Sequence, residues 1–509
     1  MTSIDEQEVD LQKQLEELQA EKKAKGNAEL STLLDTINET GNAELFIKLF
    51  SEQVRYVKEL RAWAVWDGVR WNQDVDGCVY RMFKDVVQRI KNARADILKK
   101  TSDDEIKEMI KTLQPVANWI KSSKQKRVID NSLALSTREK GITVPYSDFD
   151  YKGQFVGVKN GVVKLKTGEL VQGDPKYMMM KACPIPYAPH AKCENWVKFL
   201  GEIMHGDQSK VDFLQQVAGS ALVGNSKEKM FILQGSGANG KSTFVKTINQ
   251  MVGPTESGGY GVVINPKVFS TRTGNPEYFI ATMKGARSIC MSETSHGMTF
   301  NDTLIKQIVD SEEGLQARVV KGEAFTFPVV GTVMMTTNAI PKVVATDEGI
   351  WRRLCLVKFD RTFDASEKDR QLGRKLEEEL PGILNWAVQG AIKYFENGEQ
   401  FSIPASVEAD TVEWRREDDK LGSFMRERMT QDGSVTKLTD VLAEYTEWCK
   451  ERNYHAGGPR ELKKNLEMRG CEFDNSAAGG VARLRGWSIV SFIDEVAQMR
   501  TKREGELPF

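Results

Sequence analysis

A chain of 509 residues is long enough for about three domains, each with its own core. Its 28% charged and 40% hydrophobic residues are ordinary for a globular protein, and a net charge of −1 excludes a globally basic nucleic-acid binder, so any such contact must come from local patches. No apolar run reaches the roughly 18 residues of a membrane span, the start MTSIDEQEVD lacks the apolar stretch of a signal peptide, and the seven cysteines form no CxxC pair. These features predict reduced thiols, a cytoplasmic protein and no membrane partner.

Residues 1–27 are charged, with Leu11, Leu15 and Leu18 on a thin stripe, and read as a terminal helix or tail. Residues 28–140 read as a mainly helical domain. It is interrupted by WAVWDGVRW (63–71), where Asp67-Gly68 between short β-like runs signals a hairpin. The cations from Arg89 to Lys100, and then Lys121, Lys124, Lys126 and Arg127, read as solvated helix faces, with a nucleic-acid backbone as the other reading. Residues 141–193 form a β-rich segment with turns at Asn160-Gly161 and Thr167-Gly168. Two Asp-x-Asp pairs, Asp74/Asp76 and Asp148/Asp150, are of the type that holds metal ions in polymerases. Neither has a third ligand in reach of the sequence, so catalysis is not assigned to them. Cys183, His190 and Cys193 lack a fourth zinc ligand.

From 194 the pattern is helical, with Trp196, Phe199, Leu200 and Ile203 on one face and Val211, Leu214, Val217 and Leu222 on others. Next comes MFILQGSGANGKSTF (230–244): a short apolar run, a glycine-rich turn and the start of a helix. Gly235, Gly240, Lys241 and Ser242 fit GxxxxGK[ST], and residues Gly235, Ser236, Gly237, Ala238, Asn239, Gly240, Lys241, Ser242 and Thr243 form the expected nucleotide-binding stretch. Glycines let backbone N–H groups curl around phosphates, the helix points its positive end at them, Lys241 reaches the β- and γ-phosphates, and Ser242 holds Mg²⁺. A second apolar run ends at Glu293, the candidate to polarise water or hold Mg²⁺ with Ser242. A third ends at Asn338, which can bond the γ-phosphate and the water. Between them, Lys321-Gly322 joins two β-like runs that include Arg318, a hairpin with a basic tip. Arg352 and Arg353 are adjacent and cannot both face a core; one could reach a neighbouring subunit's nucleotide.

GSGANGKST, SET-x₂-G, TTNAIPKV and Asp-x-Gly-Ile-Trp-Arg-Arg-Leu, in that order, resemble superfamily 3 helicases, most closely the phage, plasmid and poxvirus primase-helicase family. WDGVRW and SDFDYKGQFVGVKNGVVKLKTGEL resemble the domain that precedes the ATPase there, so the likeness covers about residues 60 to 360. The resemblance implies a P-loop, AAA-like α/β ATPase core at 194–404 that assembles as a hexameric ring, uses ATP with Mg²⁺, and moves on single-stranded and forked DNA. It implies Lys241, Glu293 and Asn338 as catalytic residues, Arg353, with Arg352 as second candidate, as a finger acting in trans, and Lys321 with Arg318 as the pore hairpin. Only about 140 residues precede the β-rich segment, too few for a primase as well as the helices. No priming activity is therefore expected, and a separate primase or polymerase becomes a partner.

Residues 405–495 resemble a winged helix: a helix over 435–448, a second over 459–470 with Arg460, Lys463, Lys464 and Arg469 turned to DNA, and a basic wing over 478–487. The tail 496–509 reads as loose. The expected activity is a replicative DNA helicase; a DNA-stimulated origin-melting or loading switch is the alternative.

Overall fold

The structure, a computed structural model, describes residues 17, 27–150, 153–224, 229–271, 273–292, 298–310, 314–318, 323–343, 348–364, 366–452, 454, 456–474 and 482–490. Leu11, Leu15, Leu18, Glu293, Lys321, Asp347, most of the expected wing and the tail lie outside the described residues.

Helix α1 (Glu39–Phe50) begins where the Asn38 side chain accepts the Gly41 N–H. Strands β1 (Val54–Val57), β2 (Ala62–Trp66) and β3 (Trp71–Gln73) follow, then helices α2 (Cys78–Lys100), α3 (Ile106–Thr112), α4 (Gln114–Ser122) and α5 (Lys126–Ser136). The Asp67-Gly68 turn forms as read: Trp66 pairs with Trp71, and Gly68 takes φ 102°. Asp74 is structural, since its carboxylate accepts the Cys78 and Val79 N–H groups at 2.6 and 3.0 Å. Strand β4 (Thr143–Val144) pairs in parallel with β1, giving the order β3-β2-β1-β4. The expected boundary at 140/141 therefore cuts one sheet. The break in architecture comes later, before the antiparallel meander β5 (Phe155–Val158), β6 (Gly161–Lys164) and β7 (Glu169–Val171).

The meander packs on α6 (Glu194–Ile203) and α7 (Gln208–Val223). Beyond them run β8 (Met230–Gln234), α8 (Lys241–Val252), β9 (Gly261–Ile264), α9 (Glu277–Ala281), β10 (Ser288–Ser292), α10 (Asp302–Val309), the antiparallel hairpin β11 (Leu315–Arg318) and β12 (Ala324–Phe327), β13 (Thr332–Thr337), α11 (Glu348–Trp351) and β14 (Leu354–Lys358). Five of these strands form a parallel sheet in the order β14-β8-β13-β10-β9. Both faces are covered, which explains the continuous apolar runs. Phe231, Leu233, Met334 and Val357 face one core with α7 and α8, while Ile232, Met335, Leu356 and Trp351 face the other.

Helices α12 (Leu372–Glu378) and α13 (Leu380–Glu396) return to the first face. There α13 crosses α7 at two glycines: a Cβ on Gly219 would lie 2.2 Å from the Ala391 nitrogen, and one on Gly390 2.0 Å from the Gln215 oxygen. Only glycine allows backbones to approach this closely. Helix α14 (Ala405–Asp418), expected to open the C-terminal domain, instead flanks the edge strand β14. Thr411 accepts the Leu356 N–H at 3.0 Å, Lys358 pairs with Asp410 and Glu413, and Trp414 meets Trp351 edge-on at 5.2 Å. The expected boundary at 405 thus falls at the start of a helix that packs on the parallel sheet.

The remainder is α15 (Lys420–Arg428), β15 (Met429–Lys437), α16 (Leu438–Glu451), α17 (Pro459–Glu467), β16 (Phe473–Asp474) and β17 (Arg483–Ile489), with sheet order β15-β17-β16 around Phe424, Trp448, Leu462 and Leu484. The helix expected from 435 starts at Leu438; Val435 belongs to β15, whose exposed polar residues hid the strand. Among the described residues no helix is long and apolar enough to cross a membrane.

Candidate functional site

The glycine-rich stretch is a turn between β8 and α8. Gly237 and Gly240 have φ of 112° and 83°, which favour glycine, and Ala238 is held at φ 51°, a strained value for a residue with a side chain. Nothing stands within 4 Å of where a Gly237 Cβ would be, so the front of the turn is open. Its back rests on α6, where a Gly240 Cβ would meet Ile203 at 2.6 Å and the Phe199 ring at 3.0 Å. Lys241 opens α8 and is only 4% exposed. Its ammonium donates to the Gly235 oxygen at 2.7 Å, Asn239 Oδ1 at 2.9 Å and Asn338 Oδ1 at 3.1 Å. Asn338 reaches it because β13 is parallel to β8, with Thr337 opposite Gln234, so both chains leave the sheet at the same end. Ligands in open parallel sheets bind at these carboxyl ends. Asn239 is 2% exposed, and its Nδ2 has no hydrogen-bond partner among the described residues.

A cavity of about 550 Å³ opens beside Ser242, walled by Val245 and Asn249 of α8, Val263 of β9, Ser292 of β10 and Thr336 of β13. Ser242 is exposed at its mouth and Thr243 is half-buried. Strand β10 ends at this cavity, and the chain continues from it into Glu293, which lies outside the described residues. A buried ammonium, the first turn of a twelve-residue helix and a free-facing hydroxyl can together hold an anion and, at the hydroxyl, a divalent cation.

The two arginines part ways. Arg353, expected to act on a neighbouring subunit, is 5% exposed, ion-paired with Asp310 and donating to the Gly349 carbonyl. It is held by its own chain, and Arg352 is the exposed member of the pair. The β11–β12 hairpin forms as read and Arg318 is exposed on it; its tip, with Lys321, is outside the described residues. On α17, Arg460 and Lys464 are exposed. Lys463 is half-buried, with its ammonium 5.4 Å from the Phe473 ring and 3.6 Å from Glu467. Arg469 turns back to pair with Asp419, so it is not available on the outer face.

Sequence reasoning missed Arg287. It is 2% exposed and donates to the carbonyls of Phe155 and Leu222, both at 2.7 Å, and of Asp150 at 3.2 Å, with its guanidinium 4.5 Å from the Tyr260 ring. The Asp150 carboxylate accepts the Met180 and Lys181 N–H groups; burial pushes its pKa up, and Arg287 and Lys181 oppose that. Asp150 thus belongs to a buried joint between the meander and the parallel sheet. Cys183 and Cys193 lie in the apolar core, where burial pushes their thiols up to about 12 and about 11.

Residues 43–205 match the family described as D5 N terminal like, and residues 233–353 match a family of unknown function, DUF5906. Putative helicase L207/L206 of Acanthamoeba polyphaga mimivirus is 24% identical over 355 residues, covering 65% of this chain and 36% of its own. Putative helicase 022R of Frog virus 3 is 21% identical over 273 residues, covering 50% and 28%. The chain thus spans about a third or less of the length of these curated relatives. The A form apo structure of the NrS-1 C terminal region is similar at 11% identity and a TM-score of 0.44, covering 87% of this chain and 98% of that one.

Proposed function

From a chain that resembles the viral superfamily 3 primase-helicases, we propose an ATP-driven helicase motor built on the glycine-rich turn. The observation that carries the reading is the 3.1 Å contact between Lys241 and Asn338, which joins the turn to the end of the neighbouring parallel strand. A triphosphate on the turn takes over the Lys241 ammonium, and Asn338 is released to face the terminal phosphate and the attacking water. Ser242, with Glu293, would hold Mg²⁺, which neutralises charge on the β- and γ-phosphates. The parallel core is read as a P-loop, AAA-like ATPase, and the arrangement α15–β15–α16–α17–β16–β17 as a winged helix. Its exposed Arg460 and Lys464 are the residues best placed for DNA phosphates, with Lys463 beside them. In a hexameric ring, Arg352 rather than Arg353 would reach the neighbour's nucleotide, because Arg353 is occupied internally. Arg318 and Lys321 would line the pore, with primer synthesis left to another protein.

The test is ATP hydrolysis with and without single-stranded DNA, together with strand displacement on a forked duplex. DNA-stimulated hydrolysis with ATP-dependent displacement supports the motor; hydrolysis that DNA leaves unchanged refutes it. Stimulation without displacement favours the origin-melting or loading switch, in which Lys321→Ala has little effect. In the motor, Lys321→Ala abolishes displacement and spares basal hydrolysis.

A further inference from the structure

Two side chains just past β14 stand beside the turn and have no part in the phosphate arrangement above. Phe359 donates its N–H to the Gln234 carbonyl at 2.7 Å, and Phe363 donates to the Ala238 carbonyl at 2.9 Å. The segment 359–363 therefore runs alongside the turn from its root to its apex, at the roughly 5 Å spacing of hydrogen-bonded chains. The Phe363 ring is half-buried and packs on the core that contains Phe199 and Ile203. Over that ring, 5.0 Å from its centroid, stands the Arg361 guanidinium. Glu367 pairs with the guanidinium, and its other oxygen accepts the Asp364 N–H at 3.2 Å. The Arg361 side chain is 35% exposed. A guanidinium held by a ring beneath and a carboxylate at its tip is planar and weakly hydrated, and this side chain stays partly open to solvent. Such a plane beside a polyphosphate cradle is suited to one thing that phosphate chemistry does not use, the face of a base.

We propose that the Arg361–Phe363 stack is the nucleobase subsite: the base of a nucleoside triphosphate stacks on the Arg361 plane while its phosphates lie on the turn. This rests on the nucleotide reading above and adds the base to it. Stacking tolerates any base, because every base offers a π-face, so the subsite favours nucleotides over bare polyphosphate and separates ATP from GTP only weakly.

The test is calorimetric titration of the full chain with magnesium ATP, magnesium GTP and magnesium tripolyphosphate. The wild-type chain is expected to bind ATP about tenfold or more tighter than tripolyphosphate. Arg361→Ala is expected to lower ATP affinity about tenfold and leave tripolyphosphate within about twofold; in steady state it raises KM for ATP with kcat unchanged. Phe363→Leu keeps the apolar packing and is expected to cost ATP affinity about threefold, again sparing tripolyphosphate. Arg361→Lys keeps the charge but not the plane, and is expected to recover little of the loss. If Arg361→Ala binds ATP as the wild type does, or loses both ligands equally, the subsite is overturned while the nucleotide reading stands. If the wild-type chain binds tripolyphosphate as well as ATP, the subsite is again overturned alone. If it binds neither, both readings fall.

Discussion

Removing the Arg287 guanidinium should cost more than any exposed charge in this chain. The group is 2% exposed and joins three carbonyls from three separate segments, Asp150, Phe155 and Leu222, over the face of Tyr260. In Arg287→Ala each carbonyl loses a charged donor, and the buried Asp150 carboxylate loses a countercharge. A buried acceptor left without a partner costs about 1–3 kcal/mol, and deleting one member of a buried charge arrangement about 3–5 kcal/mol. These overlap, so the expected loss is about 4 kcal/mol. For a cooperative unit of about 150–250 residues that lowers Tm by about 8–16 °C. Scanning calorimetry measures it, and the pH dependence sharpens it. Burial already raises the Asp150 carboxyl above its ordinary value, and loss of Arg287 raises it further. The folded state then holds a proton that the unfolded chain releases. Stability of the variant therefore falls as pH rises from the ordinary carboxylate range through the folded pKa, and its deficit is smaller at acid pH than at neutral pH. A melting point within about 2 °C of wild type would refute the reasoning, as would a deficit that does not change with pH.

Four further outcomes rest on contacts described above. Arg353→Ala should lower the melting temperature, at a cost of about 1–2 kcal/mol of stability, because the buried guanidinium no longer serves the exposed Asp310 carboxylate and the Gly349 carbonyl. Arg352→Ala should cost less stability than Arg353→Ala and, on the proposed function, reduce ATP hydrolysis about 10³-fold; a larger melting loss for Arg352→Ala than for Arg353→Ala would reverse the assignment. Gly390→Ala would place a Cβ 2.0 Å from the Gln215 oxygen, so it should destabilise by about 2 kcal/mol or more despite alanine's better helix propensity; a rise in melting temperature would rule out the close crossing. Asp418 accepts the Val343 N–H at 2.7 Å, and burial pushes its carboxyl up to about 6. Its contribution to stability is greatest below the ordinary carboxylate range and declines as pH rises to about 6. Asp418→Asn should therefore gain on wild type between pH 4.5 and 7 in paired melts, and parallel curves would contradict it.

Local chemistry was legible in the sequence wherever a few adjacent residues fix the backbone. Asp67-Gly68 and Asn160-Gly161 announced their hairpins, and the run from Phe231 through Lys241 announced strand, turn and helix, because each needs only neighbours in the chain. The pairing of β1 with β4 was not legible, since a two-residue parallel partner almost 90 residues away carries no periodic signal. The fate of Arg353 was also hidden: its partner Asp310 is 43 residues upstream, and nothing beside either residue marks the pair. Strand β15 escaped because its residues after Met429 are exposed or half-exposed and, Gly433 and Val435 apart, polar, so the alternation that reveals a strand is missing. Arg287 looked like the start of an apolar strand, and only the fold brings Asp150, Phe155 and Leu222 to it.

The glycine crossing of α7 and α13 bears on how this protein is made. Helix α6, on which the turn rests at Gly240, is tied to the start of α13, because the Glu379 carboxylate accepts the Asn195 and Trp196 N–H groups, each at 3.0 Å. The turn is thus braced by a helix that leaves the ribosome well over a hundred residues after Lys241, about 10–30 s later at ordinary rates of synthesis. Until then α7 leaves its glycine groove and apolar flank uncovered. The residues proposed to hold phosphate are translated early and braced late, so a chain cut short before Leu380 would carry the whole glycine-rich turn without the helix that fixes it in place.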